Sequence, residues 1–304
     1  MAKVCVVLSG AGVFDGAELH ESVLTLLALQ EAGAEVVMTA PRGPQLQVVN
    51  HLTGEVAEGE SRDILVESAR VARGEITALD ELSLDELDAV VFPGGFGVAK
   101  NLCTFALDGP ACSVHEGVAS FLRAARERGL PLGFACISPA LAAAVFREGT
   151  LTLGQDEGGA AEGLRALGAE PVACPANAVV VDEARKTVST PAYMTGTSLL
   201  ELREGLKGMV DQVLAWALEG EQAQALAGLD GWRLEGRGLV KRWRFEGDEA
   251  PLEWVQRLWA LAQAHKHHPD LSLSYGEVIA RLTTHDAGGL TEADFAMARA
   301  IDAL

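Results

Sequence analysis

"LPLGFACISPALAAAVF", residues 130–146, decides the fold of the larger part of this chain. Apolar residues run unbroken to Ala135, the pattern of a short strand buried on both faces. Ser138 is a good N-cap and Pro139 suits a first helical position, so a helix follows almost at once. Cys136 stands at the corner between them. A side chain on a strand-to-helix corner of this kind is thrown out at the end of a sheet, beside a helix N-terminus. The helix dipole and its free N–H groups favour a thiolate, so the Cys136 pKa is expected below the free value of about 8.5. A second strand ends in "FPGGFGVAKNL" (92–102). There Gly94, Gly95 and Phe96 are candidates to bind substrate through backbone N–H groups.

The same alternation extends outward from this corner. "KVCVVLS" (3–9), "AEVVMTA" (34–40) and "LDAVVFPGG" (87–95) read as strands, "ELHESVLTLLALQEAG" (18–33) as a helix, and "SRDILVESARVARGE" (61–75) as a helix capped by Ser61. Strands alternating with helices predict an α/β domain, a parallel sheet covered on both faces. "NAVVVDEARKTVST" (177–190) suits an antiparallel hairpin, and "SLLELREGLKGMVDQVLAWALEG" (198–220) closes the domain as a long helix. After Gly220 the pattern changes. A short helix "EQAQALAGL", a hairpin in 232–246 and a helix in 250–265 follow, the last with Leu252, Val255, Leu258, Trp259 and Ala262 on one face. Strands in 271–284 and a final helix capped by Thr291 complete a small α+β domain, an antiparallel sheet with helices on one face. Two domains are expected, residues 1–220 and 221–304.

Charge changes at the same place. The formal net charge is −19; residues 221–304 hold 9 Lys/Arg against 13 Asp/Glu, leaving 15 against 30 in the first 220. So acidic a chain repels phosphates, and no nucleic-acid partner is expected. No stretch approaches the roughly 18 apolar residues of a membrane span, and the opening "MAKVCVVLSG" is too short for a signal peptide. Five scattered cysteines (Cys5, Cys103, Cys112, Cys136, Cys174) form no C-x-x-C pair. They suit reduced thiols, and a cytoplasmic protein is expected.

Four of the seven histidines lie in "HKHHPDLSLSYGEVIARLTTHDAGGLT" (265–291). Pro269 places His267 and His268 where a helix gives way to a strand, and His285 follows a strand that can lie antiparallel to it. Three imidazoles near one pocket suit proton transfer near neutral pH. They also suit zinc, but no nearby cysteine completes a ligand set, and no metal is expected. "HHPDLSLSYGEVIARLTTHDAGGLTEADFAMARAID" (267–302) resembles the signature of the pterin-4a-carbinolamine dehydratases. The order of elements is similar throughout residues 221–304. The resemblance implies dehydration of 4a-hydroxytetrahydrobiopterin to quinonoid dihydropterin. It implies His267 and His285 as the acid/base pair, His268 as a substrate-binding histidine and Asp294 as an aspartate beside the site. Gln263 stands where many members carry glutamate.

"LSGAGVFDGAELHESVLTLLAL" (8–29), "VVNHLTGE" (48–55), "ESARVARGEI" (67–76), "PGGFGVAKNL" (93–102) and "ACISPA" (135–140) resemble the ElbB-type proteins of the PfpI-like, class I glutamine amidotransferase-like superfamily. The resemblance implies a flavodoxin-like sandwich, a reactive elbow cysteine and an acidic partner at Glu18. It also implies a glyoxalase-like conversion of a small aldehyde and water to a hydroxy acid. Ile137 replaces the histidine that follows the cysteine in PfpI-like proteases, so no peptidase is read, and Ala11 replaces a cysteine common in ElbB members. The expected substrates are a pterin and, at the larger domain, a small aldehyde or other small molecule, with no cofactor, in a homodimer or higher homo-oligomer. The alternatives are a dehydratase-like module that binds a protein partner, or a carbonyl or redox sensor in which Cys136 is modified without turnover.

Overall fold

The computed structural model describes residues 2–235, 238–245, 249–284, 287 and 289–304. The chain divides into two compact units, Met1–Leu218 and Glu219–Leu304.

The first unit is built on a seven-stranded sheet. From edge to edge its strands are Val180–Asp182, Thr187–Thr190, Leu132–Ala135, Ala89–Phe92, Lys3–Val7, Glu35–Ala40 and Thr77–Ala78. All neighbours are parallel except the first pair, the expected hairpin. The pleat sorts side chains by parity. Cys5, Val7, Val90, Phe92, Leu132 and Phe134 face one way, packing with helices Glu116–Glu127 and Ser138–Phe146. Val4, Val6, Ala89, Val91 and Ala135 face the other way, against helices Leu19–Glu31 and Leu199–Ala227. The Phe92 and Phe134 rings stack 5.2 Å apart at the centre of the first layer. The strands end together at their C-terminal edge, where the cysteine corner lies. This is the flavodoxin-like arrangement implied by the sequence.

The second unit has an antiparallel sheet ordered Arg233–Glu235, Gly238–Arg244, Glu277–Leu282, Asp270–Ser274. Val278, Ala280 and Leu282 alternate inward along one strand, and Ala280 and Leu282 cluster with Leu258 and Ala262 of helix Glu249–His265 and Phe295 and Ala298 of helix Glu292–Asp302. Among the described residues no helix is long and apolar enough to cross a membrane.

Local expectations are corrected at several points. Asp63, not Ser61, caps helix Ile64–Val71, its carboxylate accepting from Val66 N at 3.0 Å. A carboxylate satisfies the amide with a charge that also suits the helix dipole. Ser138 makes no cap bond; its hydroxyl donates to Phe92 O and Ala135 O, at 2.9 and 2.7 Å. Leu252 and Trp259 are 52 % and 49 % exposed, because only Leu258 and Ala262 of the expected stripe are fully covered. Helix Leu199–Ala227 continues past Gly220 without a break. A single helical glycine costs only about 1 kcal/mol, too little to stop a run of Ala, Glu, Gln and Leu.

Gly205 shows how closely that helix approaches its neighbours. A Cβ there would lie 2.1 Å from Ala176 O and 2.7 Å from Thr190 Oγ1. On an open helix face Gly→Ala stabilises by about 1 kcal/mol, whereas overpacking costs about 1–3 kcal/mol. Gly205→Ala is therefore expected to lower the first unit's unfolding midpoint in calorimetry. A raised midpoint would show that the helix stands further off.

Candidate functional site

Cys136 follows strand Leu132–Ala135 and is separated from helix Ser138–Phe146 only by Ile137, with φ +58°. A non-glycine residue in the left-handed region is strained, and here the neighbours hold it in place. Cys136 N donates to Thr190 O at 3.0 Å, while the Ser138 hydroxyl ties both adjoining strand ends. The backbone N–H groups of Gly95 and Ile137 are directed at the sulfur.

The acid against this sulfur is Glu21, not Glu18. The Glu21 side chain is fully buried beside Cys136, both of them crowding the same face of Gly94, and its charge acts on the thiol. It also accepts from Gly94 N at 2.9 Å and Tyr193 N at 3.3 Å. Glu18 is the N-cap of helix Leu19–Glu31, accepting from Glu21 N at 2.7 Å, and its own N–H donates to Gly94 O at 2.9 Å. Sequence did carry a signal for Glu21. Glu21, Thr25, Ala28 and Leu29 form the buried stripe of that helix, so a charged residue occupies a core position. His20 and Tyr193 were also missed; His20 Nδ1 and Tyr193 Oη are 2.8 Å apart at the same helix start.

The glycine turn makes room more than it donates. A Cβ on Gly94 would lie 2.2 Å from the Cys136 Cβ and 2.5 Å from Glu21 Oε2, and Gly95 has φ +103°. Of the expected donors, Gly94 N–H serves Glu21 and Phe96 N–H serves Val13 O at 2.8 Å, while the neighbouring Gly97 N–H serves Gly16 O at 2.9 Å. Gly95 N–H alone of these faces the sulfur. Phe96 keeps a half-exposed ring.

The electrostatics overturn the expectation of a lowered thiol pKa. Burial raises the Cys136 pKa well above the ordinary value, and the Glu21 charge raises it further. The two backbone N–H groups oppose this but do not win. Glu21 is itself pushed up to about 7, first by burial and then by the Glu18 charge. The resting proton therefore lies on sulfur, beside the Glu21 carboxyl, which is placed to take it.

In the second unit, His267 Nε2 lies 2.7 Å from Asp294 Oδ1. Asp294 is completely buried, and its other oxygen accepts from Thr284 Oγ1 at 2.7 Å and Thr291 N at 2.8 Å. Thr291 and Asp294 are the two halves of a capping box on helix Glu292–Asp302. Local helix chemistry thus aims the carboxylate that holds His267. His268 is exposed beside Trp259, with ring centroids 5.4 Å apart; His265 and Gln263 are exposed. His285 lies outside the described residues.

A flavodoxin-like unit with a cysteine elbow, followed by a small unit in which a buried aspartate holds a histidine, defines an amidotransferase-like protein fused to a pterin dehydratase-like domain. The pterin 4 alpha carbinolamine dehydratase family model matches residues 217–304. The chain is 47% identical over 221 residues to the human protein "Glutamine amidotransferase-like class 1 domain-containing protein 3, mitochondrial", covering 70% of this chain and 82% of that one. A crystal structure of an isoprenoid biosynthesis protein with amidotransferase-like domain, from Ehrlichia chaffeensis, superposes with TM-score 0.67 at 33% identity, covering 71% of this chain and 99% of that one. A Chloroflexus aurantiacus protein, named provisionally as a pterin-4-alpha-carbinolamine dehydratase, is 46% identical over 84 residues, 28% of this chain and 90% of that one. The chain belongs to the glutamine amidotransferase-like class 1 domain family and carries a pterin-4a-carbinolamine dehydratase domain at its C-terminal end.

The cytoplasmic expectation is corrected. The human relative and two further vertebrate relatives are named as mitochondrial proteins. Scattered reduced thiols do not distinguish one reducing compartment from another.

The Glu21 pKa has a consequence for stability. Its folded value, about 7, exceeds the ordinary 4.5. The folded protein therefore binds more protons than the unfolded chain between those values, and stability falls as pH rises through the window. Between about pH 5 and about pH 8, the wild type should lose about 2–3 kcal/mol more than Glu21→Gln. Urea midpoints of the first unit at the two pH values measure this; parallel losses would place the Glu21 pKa near its ordinary value.

Proposed function

We propose that the chain is a two-site enzyme: a pterin-4a-carbinolamine dehydratase in residues 221–304 and a cysteine-dependent, glyoxalase-like site in residues 1–220. The first reading is carried by His267 on the buried Asp294, within a unit that matches the dehydratase family. Loss of water from C4a needs one group to protonate the departing hydroxyl and another to take a ring proton. Asp294 accepts the Nε2 proton of His267, which fixes the tautomer and leaves Nδ1 as the nitrogen free to exchange a proton. His285 is its partner in proton transfer, and His268 binds the pterin. No cofactor or metal enters this step.

The second reading rests on Cys136 and Glu21. As the sulfur bonds to the carbonyl carbon of a small aldehyde, Glu21 takes the thiol proton; a value of about 7 suits a base at neutral pH. Gly95 N–H and Ile137 N–H, which already face the sulfur, are the donors available to the oxygen of the adduct. With glyoxal or methylglyoxal, the hemithioacetal rearranges to a thioester. Water then releases the hydroxy acid, so aldehyde and water balance the product without an external oxidant.

Both readings are tested on the full chain. His267→Ala should cut carbinolamine dehydration by about 10²-fold or more, followed by pterin absorbance, while a zinc chelator leaves the rate unchanged. Chelator-sensitive turnover would replace acid/base chemistry with a metal site. Cys136→Ser and Glu21→Gln should each abolish glyoxal consumption and leave dehydration intact. Undiminished consumption in both variants would remove the enzymatic reading of the first unit.

A further inference from the structure

One segment holds both halves of the elbow site. Strand Thr187–Thr190 ends in Thr190, whose carbonyl accepts from Cys136 N at 3.0 Å. A little further along, Tyr193 N donates to Glu21 Oε1 at 3.3 Å. Gly94 N donates to the other carboxyl oxygen, Oε2, at 2.9 Å. Each oxygen thus has a backbone donor, and the two donors together fix the plane of the carboxyl beside the sulfur. The bond from Tyr193 is the longer of the two, and it comes from a strained backbone. Ala192, just before it, is completely buried with φ +46°. A non-glycine residue persists in the left-handed region only where its surroundings hold it there.

The Tyr193 side chain supplies such a hold. Its hydroxyl lies 2.8 Å from His20 Nδ1, and the two rings are tilted at 55° with centroids 6.0 Å apart. His20 stands in the first turn of helix Leu19–Glu31, next to Glu21 in the chain, and Glu18 caps that turn. The tie therefore runs from the helix start that carries the acid to the segment that donates to it. A phenol both donates and accepts, so the bond survives either tautomer of the imidazole and also its protonation. Burial, and then the Glu18 and Glu21 charges, raise the Tyr193 pKa, which keeps the hydroxyl proton in place.

We propose that His20 and Tyr193 are positioning residues of the elbow site: their side-chain bond holds the Tyr193 N–H on Glu21 and so keeps that carboxyl ionisable beside Cys136. The part this plays in catalysis rests on the reading of Glu21 as the base for the Cys136 thiol. The pair acts through Glu21, without contact to the substrate. When the tie is cut, the strained turn is free to relax, the longer backbone bond is lost, and Glu21 Oε1 stays buried without a donor. A buried carboxylate that loses a donor holds its proton more tightly. The ionisable groups around that proton are Glu18 from the same helix turn, the Cys136 thiol from the elbow and the Tyr193 phenol. Cutting the tie leaves the Glu18 and Cys136 side chains unaltered and removes the Tyr193 N–H.

The test is an infrared titration of the full chain, in which the carbonyl band of the protonated Glu21 carboxyl is isolated by subtracting Glu21→Gln. The wild-type band should titrate with a midpoint of about 7. In Tyr193→Phe, which deletes a single oxygen, and in His20→Leu, the midpoint should rise. At pH 7 each should then hold at least about threefold less Glu21 carboxylate than the wild type. In His20→Asn the amide can occupy the place of Nδ1, and the wild-type midpoint should return; a merely structural disturbance would not be reversed in this way. Glyoxal consumption at pH 7 should fall in Tyr193→Phe and His20→Leu through kcat, with KM unchanged. Should His20→Leu not fold, Tyr193→Phe decides alone. An unmoved midpoint in Tyr193→Phe, or no recovery in His20→Asn, would overturn the inference. A wild type that consumes no glyoxal yet shows these midpoints would remove the enzymatic reading and leave the tie to Glu21 standing.

Discussion

A carboxylate buried without donors is far too costly for a folded protein to carry, and Glu21 sits where water cannot reach it. Its donors come from two separate segments, Gly94 N from the glycine turn and Tyr193 N from the segment after strand Thr187–Thr190, and the elbow of Cys136 lies against it as well. Satisfying one helical side chain therefore draws three loops onto one point at the C-terminal edge of the sheet. That convergence explains the absence of a side chain at position 94, and it surrounds the strained φ at Cys136. It also explains why the elbow cysteine rests as a thiol. The groups that shape the site leave a negative charge beside the sulfur, outweighing the two N–H groups that favour thiolate.

The second unit meets the same requirement by another route. Asp294 is as deeply buried as Glu21, but its position follows from helix capping rather than from converging loops. Thr291 and Asp294 complete the first turn of helix Glu292–Asp302, and Thr284 brings the end of strand Glu277–Leu282 to the same carboxylate. His267 then occupies the remaining acceptor. A local device that stabilises a helix start thus also orients an imidazole supplied by a distant segment.

The layers of the fold were legible because they are written in short-range pattern. Unbroken apolar strands, the elbow at Cys136 and the antiparallel hairpin before helix Leu199–Ala227 all follow from periodicity and turn chemistry. Contacts between segments were harder. Glu18 and Glu21 share one helical turn, and only the packing of that helix shows that Glu21 points inward while Glu18 caps the N-terminus. Reading Glu21 as a charged residue on an apolar stripe would have found it. The sulfur's pKa was misjudged for a similar reason: a helix N-terminus is visible in sequence, but the burial that opposes it is not.

The crowding at Gly94 also restricts how this protein can change over evolutionary time. Any Cβ at position 94 collides with Cys136 and Glu21 together, so the glycine and its two neighbours form one heritable block. Larger residues at 94 are reachable only after both partners have shrunk or moved, and each such intermediate carries a broken site. Exposed positions such as Leu46 and Leu52 face no comparable restriction. Divergence within this lineage should therefore be uneven, accumulating around the rim of the sheet while its chemical centre passes almost unedited from one generation to the next.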